Sequence, residues 1–427
     1  MKAIATLIKN IESGKADEKL LDLYADDGVI EYQKERYVNA LNTFKKLYGD
    51  QKISVYSAPG RSEVMGNHTD HQHGEILAAS VNLDAIAIVH ENDEGIIRLK
   101  SDAYPEIKIN INDIKLKKSE KESTKALVKG VLQGFVDRGY RIGGFEAFVT
   151  SDVIIGAGLS SSAAFETLIG TILSYLYNKG RVSAIEIAII GQFAENVYFG
   201  KPCGLMDQMA CSVGNLVHVD FADPANPMVE KVDFDLSAKG YSLCITDTKG
   251  SHADLTDEYA AIPKEMKEIA GYFGKEVLLG VTAGELLANA ADLRDKFGDR
   301  ALLRALHFIN ENERVKRGVK ALQSGRTAAF LSEVRASGNS SFKYLQNVYT
   351  SSDVRHQNVS LALALSDMTL DAAKEASRVH GGGFAGTIQA FVLNKNVEKY
   401  KAEMEKLFGE GSCHVLKIRK YGGVQVL

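Results

Sequence analysis

Residues 156–164, Gly-Ala-Gly-Leu-Ser-Ser-Ser-Ala-Ala, form a glycine and hydroxyl run that leads directly into an apolar segment. Ahead of it Phe145, Ala147 and Val149 alternate as a strand does; behind it Phe165, Leu168, Ile169, Ile172 and Leu176 recur at helical intervals. Strand, loop and helix in that order restrict what the chain can build. Glycine lets the backbone approach an anion, and the first N–H groups of the helix face that anion along the positive end of the dipole. Serine hydroxyls at the same place suit a phosphate-bound magnesium ion. An ordinary tight turn with capping serines has the same local pattern, so the neighbouring segments decide between the two.

A chain of 427 residues, 45% of them apolar, is long enough for two domains of ordinary size. With 51 basic and 55 acidic residues the net charge is −4, which leaves no electrostatic footprint for nucleic acid or an anionic membrane. No apolar run reaches the length of a bilayer span and the start lacks a signal-peptide pattern, so a cytoplasmic protein is expected. The four cysteines, Cys203, Cys211, Cys244 and Cys413, lack a short paired spacing and are expected to be reduced, mostly buried thiols.

Residues 4–47 have helical spacing without proline and predict two or three surface helices that carry no visible chemistry. From Ile53 onward the pattern is mixed, with strands at 86–90 and 96–99 and a helix at 125–137. The stretch 220–232, with Pro224 and Pro227, is the expected crossover between domains. Helices over 286–323 and 327–337 then alternate with strands at 241–246, 390–393 and 414–418.

Three further segments carry chemistry. The glycines of 381–386 match the spacing of a dinucleotide fingerprint, but a predicted helix over 370–379 before them and a strand over 388–393 after them reverse the order that fingerprint needs. Residues 58–61, Ala-Pro-Gly-Arg, continue into a polar stretch holding His68, Asp70, His71 and His73. These histidines lack the i, i+4 spacing of a helical zinc pair; a solvated loop fits, and so does a polyhydroxylated ligand whose hydroxyls need both donors and acceptors. In the third segment, 200–208, Asp207 follows a Gly- and Pro-rich turn, where it is a helix cap or a chemical group. Glu195 lies upstream on a helix predicted over 188–199.

In this order the segments resemble the GHMP family of small-molecule kinases, and within it the galactokinases, from about Arg36 to the C-terminus. The resemblance is carried by Pro59-Gly60-Arg61 with His68-Thr69-Asp70, by Gly-Leu-Ser-Ser-Ser-Ala at 158–163, and by Gly-Gly-Gly-Phe at 381–384. It implies an α+β kinase of two domains with the site in the cleft between them. A helical extension over 1–35 would precede domains over 36–225 and 226–427. It implies transfer of the terminal phosphate of ATP to the anomeric hydroxyl of galactose with Mg2+, by a monomer whose partners are the sugar and ATP. On the same resemblance, Asp207 is the catalytic carboxylate and Arg61 its partner. Asn67, His68, Asp70, Gly204 and Tyr259 then line the sugar. Gly156, Ala157, Gly158, Leu159, Ser160, Ser161, Ser162 and Ala163 hold the nucleotide, and Ser162 with Glu195 holds the metal. Asn67 and His71 stand where those kinases have Glu and Tyr. An amide repels a C6 carboxylate less than Glu would, so galacturonate or another C6 variant stays open as the sugar; N-acetylgalactosamine as a related sugar, and a regulator that binds sugar and ATP without turnover, are separate alternatives. The intact set of Arg61, Ser162, Ala163, Glu195 and Asp207 favours an enzyme.

Overall fold

The computed structural model describes residues 1–102, 104–154, 158–201, 203–250 and 255–427. Two strands dominate it, β2 (Lys52–Met65) and β3 (Glu75–Asn92), antiparallel neighbours preceded by the short β1 (Lys2–Ala3). With β4 (Ile96–Ser101), β5 (Tyr104–Asn110) and β6 (Gly144–Ser151) they build a sheet in the order β1-β2-β3-β6-β4-β5, in which β4 and β6 run parallel. Next, β7 (Leu216–Asp220) pairs with β3, and β8 (Met228–Val232) pairs with β7. A four-stranded antiparallel sheet follows, built from β9 (Tyr241–Asp247), β10 (Ala376–His380), β11 (Thr387–Leu393) and β12 (Cys413–Leu416). The chain ends on β13 (Val424–Gln425), back beside β2.

Both faces of β2 are covered, which is why its residues after Lys52 are buried without a break. Ile53 and Val55 pack against the N-terminal helices α1 (Ile4–Glu12), α2 (Asp17–Tyr24) and α3 (Ile30–Tyr48). Tyr56 and Ala58, one pleat over, face α4 (Thr124–Asp137) and α5 (Ser161–Asn178). Further along the chain come α6 (Ala184–Phe193), α7 (Met206–Val213), α8 (Thr256–Tyr272), α9 (Ala283–Ala288), α10 (Ala290–Gln323), α11 (Thr327–Ser340), α12 (Asn358–Thr369) and α13 (Val397–Phe408). One apolar core joins the two sheets: Val64 and Leu77 of the first meet Leu243 and Phe391 of the second, with Val315 and Val319 of α10 and Leu331 of α11 between them. Among the described residues no helix is long and apolar enough to cross a membrane.

The α+β class expected from the sequence is the class found. Two segments differ from expectation. Residues 370–379 are not a helix: α12 stops at Thr369, Asp371 accepts the Ala373 N–H in a turn, and 376–380 form β10. The run is rich in helix formers, but pairing with β11 and the Glu375 carboxylate, which accepts from Asp371 N, Leu393 N and Asn396 Nδ2, overrides propensity. Met228–Val232, inside the expected crossover, extends the first sheet, so the chain passes between sheets over 233–240.

Candidate active site

The long strand β2 carries Arg61 to the serine turn. A Cβ at Gly60 would stand 2.9 Å from the Leu159 carbonyl, so only glycine allows β2 this close. The Arg61 N–H donates to that carbonyl at 3.1 Å, and its Nη1 donates to the Gly158 carbonyl. Its Nε donates to Asp207 Oδ1 at 2.7 Å. Asp207 sits in the first turn of α7, where the helix dipole favours a negative charge. Its second oxygen, Oδ2, accepts from Ser160 Oγ at 2.6 Å. Burial raises the Asp207 carboxyl, but the Arg61 guanidinium and the Ser160 hydroxyl outweigh burial and hold it below the usual carboxylate range. The group is therefore ionised at neutral pH and keeps 27% of its side chain exposed, against 8% for Arg61.

Beyond the serine turn, α6 ends at Phe193 and passes into a wider π-helical turn, Ala194–Phe199, that carries Glu195. Turns of this kind re-aim a side chain without breaking a helix. Ser162 Oγ donates to Glu195 Oε1 at 3.1 Å, so two hard oxygens lie side by side at the start of α5. Gln208, next to Asp207, steadies Glu195 by donating to its Oε2 at 2.8 Å and donates also to the buried Glu166 at 3.1 Å. Burial and the nearby Glu195 push the Glu166 carboxyl well above its ordinary range.

The loop after β2 holds the polar cluster. Asp70 packs its Oδ2 on Gly204, where any Cβ would overlap it, and its Oδ1 accepts the His71 N–H at 2.9 Å. His68, left-handed at φ 58°, donates from Nε2 to the Gly382 carbonyl at 3.1 Å. Burial, with His71 adding to it, pushes its imidazole down to about 3, so it is neutral. The Tyr259 hydroxyl donates to the Gly383 carbonyl at 2.7 Å, and its ring meets Phe384 edge-on at 5.3 Å. The 381–386 loop is thus the turn of the β10–β11 hairpin and the floor for His68 and Tyr259. Asn67, expected against a sugar, is fully buried instead: its Nδ2 donates to Glu63 Oε1 and the Gly381 carbonyl, and its Oδ1 accepts from Asn347 and Ser341.

An apolar cleft of about 460 Å³ opens beside Ser161 and Ser162. Leu99, Tyr104, Leu127, Phe165 and Phe199 line it; no local spacing in the sequence connects them. Leu159 and Ala163, expected at the nucleotide, have fully buried side chains, so only their backbone can meet a ligand. Gly156 and Ala157 lie outside the described residues.

A strand, serine turn and helix set against an arginine–carboxylate pair define a small-molecule phosphotransferase of the GHMP type. The model of the GHMP kinases N terminal domain matches residues 126–215, and that of the galactokinase galactose-binding signature matches 42–91. A galactokinase of Streptomyces coelicolor is 33% identical over 368 residues, 86% of this chain and 91% of that one. The crystal structure of Lactococcus lactis galactokinase complexed with galactose superposes with a TM-score of 0.76 at 25% identity, covering 90% of this chain and 98% of that one. A mevalonate kinase structure, 14% identical over 86% of this chain and 99% of its own, shares the fold with a TM-score of 0.60. The chain belongs to the galactokinase family of the GHMP kinases.

Proposed function

We propose that this chain is a galactokinase, moving the γ-phosphate of ATP to the C1 hydroxyl of D-galactose to give galactose 1-phosphate and ADP. The observation that carries the reading is the Asp207 carboxylate, ionised and partly open, held by Arg61 Nε at 2.7 Å beside the serine turn. Asp207 accepts the proton of the sugar O1 as that oxygen bonds to the γ-phosphorus; the bond from phosphorus to the bridging oxygen breaks and ADP leaves. Arg61 spreads the charge that builds on the transferring group. His68, Asp70, Gly204 and Tyr259 are the residues we assign to the sugar, and the apolar cleft beside Ser161 and Ser162 suits a nucleoside. The adjacent oxygens of Ser162 and Glu195 suit Mg2+, which when bound neutralises phosphate charge. Most of the rate enhancement then comes from alignment and fixed charge rather than covalent chemistry.

A coupled ADP-release assay over galactose, glucose, N-acetylgalactosamine, galacturonate and arabinose tests the substrate, with galactose expected to have the highest kcat/KM. In Asp207→Asn, turnover should fall by at least about a thousandfold, the upper range for loss of a positioned base, while galactose still binds. Near-normal turnover of that variant would mean that a group other than Asp207 takes the sugar proton.

A further inference from the structure

Ser160 holds a conformation that serine seldom adopts. Its φ of 56° and ψ of 67° are left-handed, a region where a β-carbon is strained. It stands at the N-cap of α5, where a serine oxygen ordinarily accepts an N–H from the second or third helical residue, yet its side chain makes no such bond. Its hydroxyl points the other way and donates to Asp207 Oδ2 at 2.6 Å. A serine has one hydroxyl proton, and the proton given to Asp207 is not available to a phosphate oxygen.

We propose that Ser160, which lies in the phosphate-binding turn, is a positioning residue for Asp207 rather than a phosphate ligand. Arg61 Nε on Oδ1 and Ser160 Oγ on Oδ2 fix the carboxylate plane from both sides, so the remaining lone pairs keep one direction. The same choice leaves the first N–H groups of α5 without a cap from Ser160, and those are the groups a nucleotide phosphate needs. One strained residue therefore ties the acceptor of the sugar proton to the turn that holds the phosphate. The other ionisable groups felt at Asp207 are Lys201, Glu166, His380 and the thiols of Cys203 and Cys211. Ser160 and Arg61 are its hydrogen-bond donors among the described residues.

The inference rests on Asp207 as the proton acceptor, and two variants separate it from that reading. Ser160→Gly removes the hydroxyl and relieves the left-handed strain, whereas Ser160→Ala removes the hydroxyl alone. Both should lower kcat about 10- to 100-fold, the size of one lost hydrogen bond to a charged group. Both should move the acidic limb of the kcat profile to higher pH, because a carboxylate that loses a donor is protonated more easily. MgADP and galactose affinities, measured by calorimetry, should stay at the native values. Native kcat and pH profile in Ser160→Gly would overturn the proposal, as would a drop in MgADP affinity with the pH limb unmoved. A native chain inert toward every sugar would sink the functional reading instead. In that case a double-mutant cycle of Ser160→Ala with Asp207→Ala, read in thermal unfolding without substrate, still decides: additive losses overturn the positioning role and sub-additive losses support it.

Discussion

Asn67 is an amide used to full capacity: two donors meet the Glu63 carboxylate and the Gly381 carbonyl, and its oxygen accepts from Asn347 at 2.7 Å and Ser341 at 3.2 Å. Glu63 is itself buried and paired with Arg378, so the amide joins β2 to the β10–β11 hairpin loop. Asn67→Asp keeps the shape but removes both donors and sets a second carboxylate against Glu63. The loss should be on the order of 3 kcal/mol, the scale for stranding buried acceptors beside an unpaired charge. Urea unfolding at pH 7 measures it, and a midpoint equal to that of the native chain would contradict the assignment. The sequence showed that an amide stands here and what an amide can do. It did not show that every one of those bonds is made to the protein, because Gly381 and Asn347 are far away in the chain. Ser160 is the same case: its place in the serine turn was legible, but the direction of its hydroxyl depends on where α7 brings Asp207.

At the scale of elements, the short segment 203–205 ahead of α7 packs against the loop that follows β2. Its Gly204 touches Asp70 where a methyl group would overlap the carboxylate, and the Asp70 side chain is short enough that it would have to turn away. Gly204→Ala should raise KM for galactose about tenfold or more, one good polar contact, with KM for ATP and the unfolding midpoint little changed. An unaltered galactose KM would show that Asp70 does not face the sugar. Strand, turn and helix over 144–178 were readable because each is specified locally, by alternation, by glycine and serine, and by apolar spacing. Of the hairpin at 376–393, β11 was readable as a strand but β10 was not, since Ala372, Ala373 and Ala376 favour a helix and the pairing that overrides them lies with β11 and Glu375. The apolar cleft was invisible for a different reason. Leu99, Tyr104, Leu127, Phe165 and Phe199 come from four helices and strands and one π turn, and each alone looks like ordinary core.

At the scale of the whole molecule, α10 and α11 are locked onto the loop that follows β2 by buried ionisable groups, and those groups set how the chain responds to acid. His307, fully buried on α10, donates from Nε2 to the Asn67 carbonyl at 2.9 Å. With the proton of the neutral ring on Nε2, its Nδ1 accepts from Ser340 Oγ at 2.9 Å, and that hydroxyl oxygen accepts in turn from Arg314 at 2.6 Å. A second proton on the ring would reverse the Ser340 bond and set a positive charge in the core near Arg314. Burial accordingly pushes His307 from 6.5 down to about 4. The sign follows from proton uptake: between pH 6.5 and 4 the unfolded chain binds a proton that the folded chain refuses, so stability falls as pH falls through that window, by on the order of 3 kcal/mol for this residue. His68, down at about 3, adds in the same direction. Glu311 takes over lower: burial opposes its charge, but His307, Arg314 and Arg378 outweigh burial and hold it near 2. Its stabilisation, present above about 4.5, is lost as pH drops through 2. Calorimetric scans from pH 7.5 to 4.5 should therefore show a steady fall in Tm that begins near pH 6.5. In His307→Gln, whose amide can donate to Asn67 and accept from Ser340 without titrating, the fall should be shallower. Parallel slopes for the two proteins would mean that the acid response comes from elsewhere in the fold.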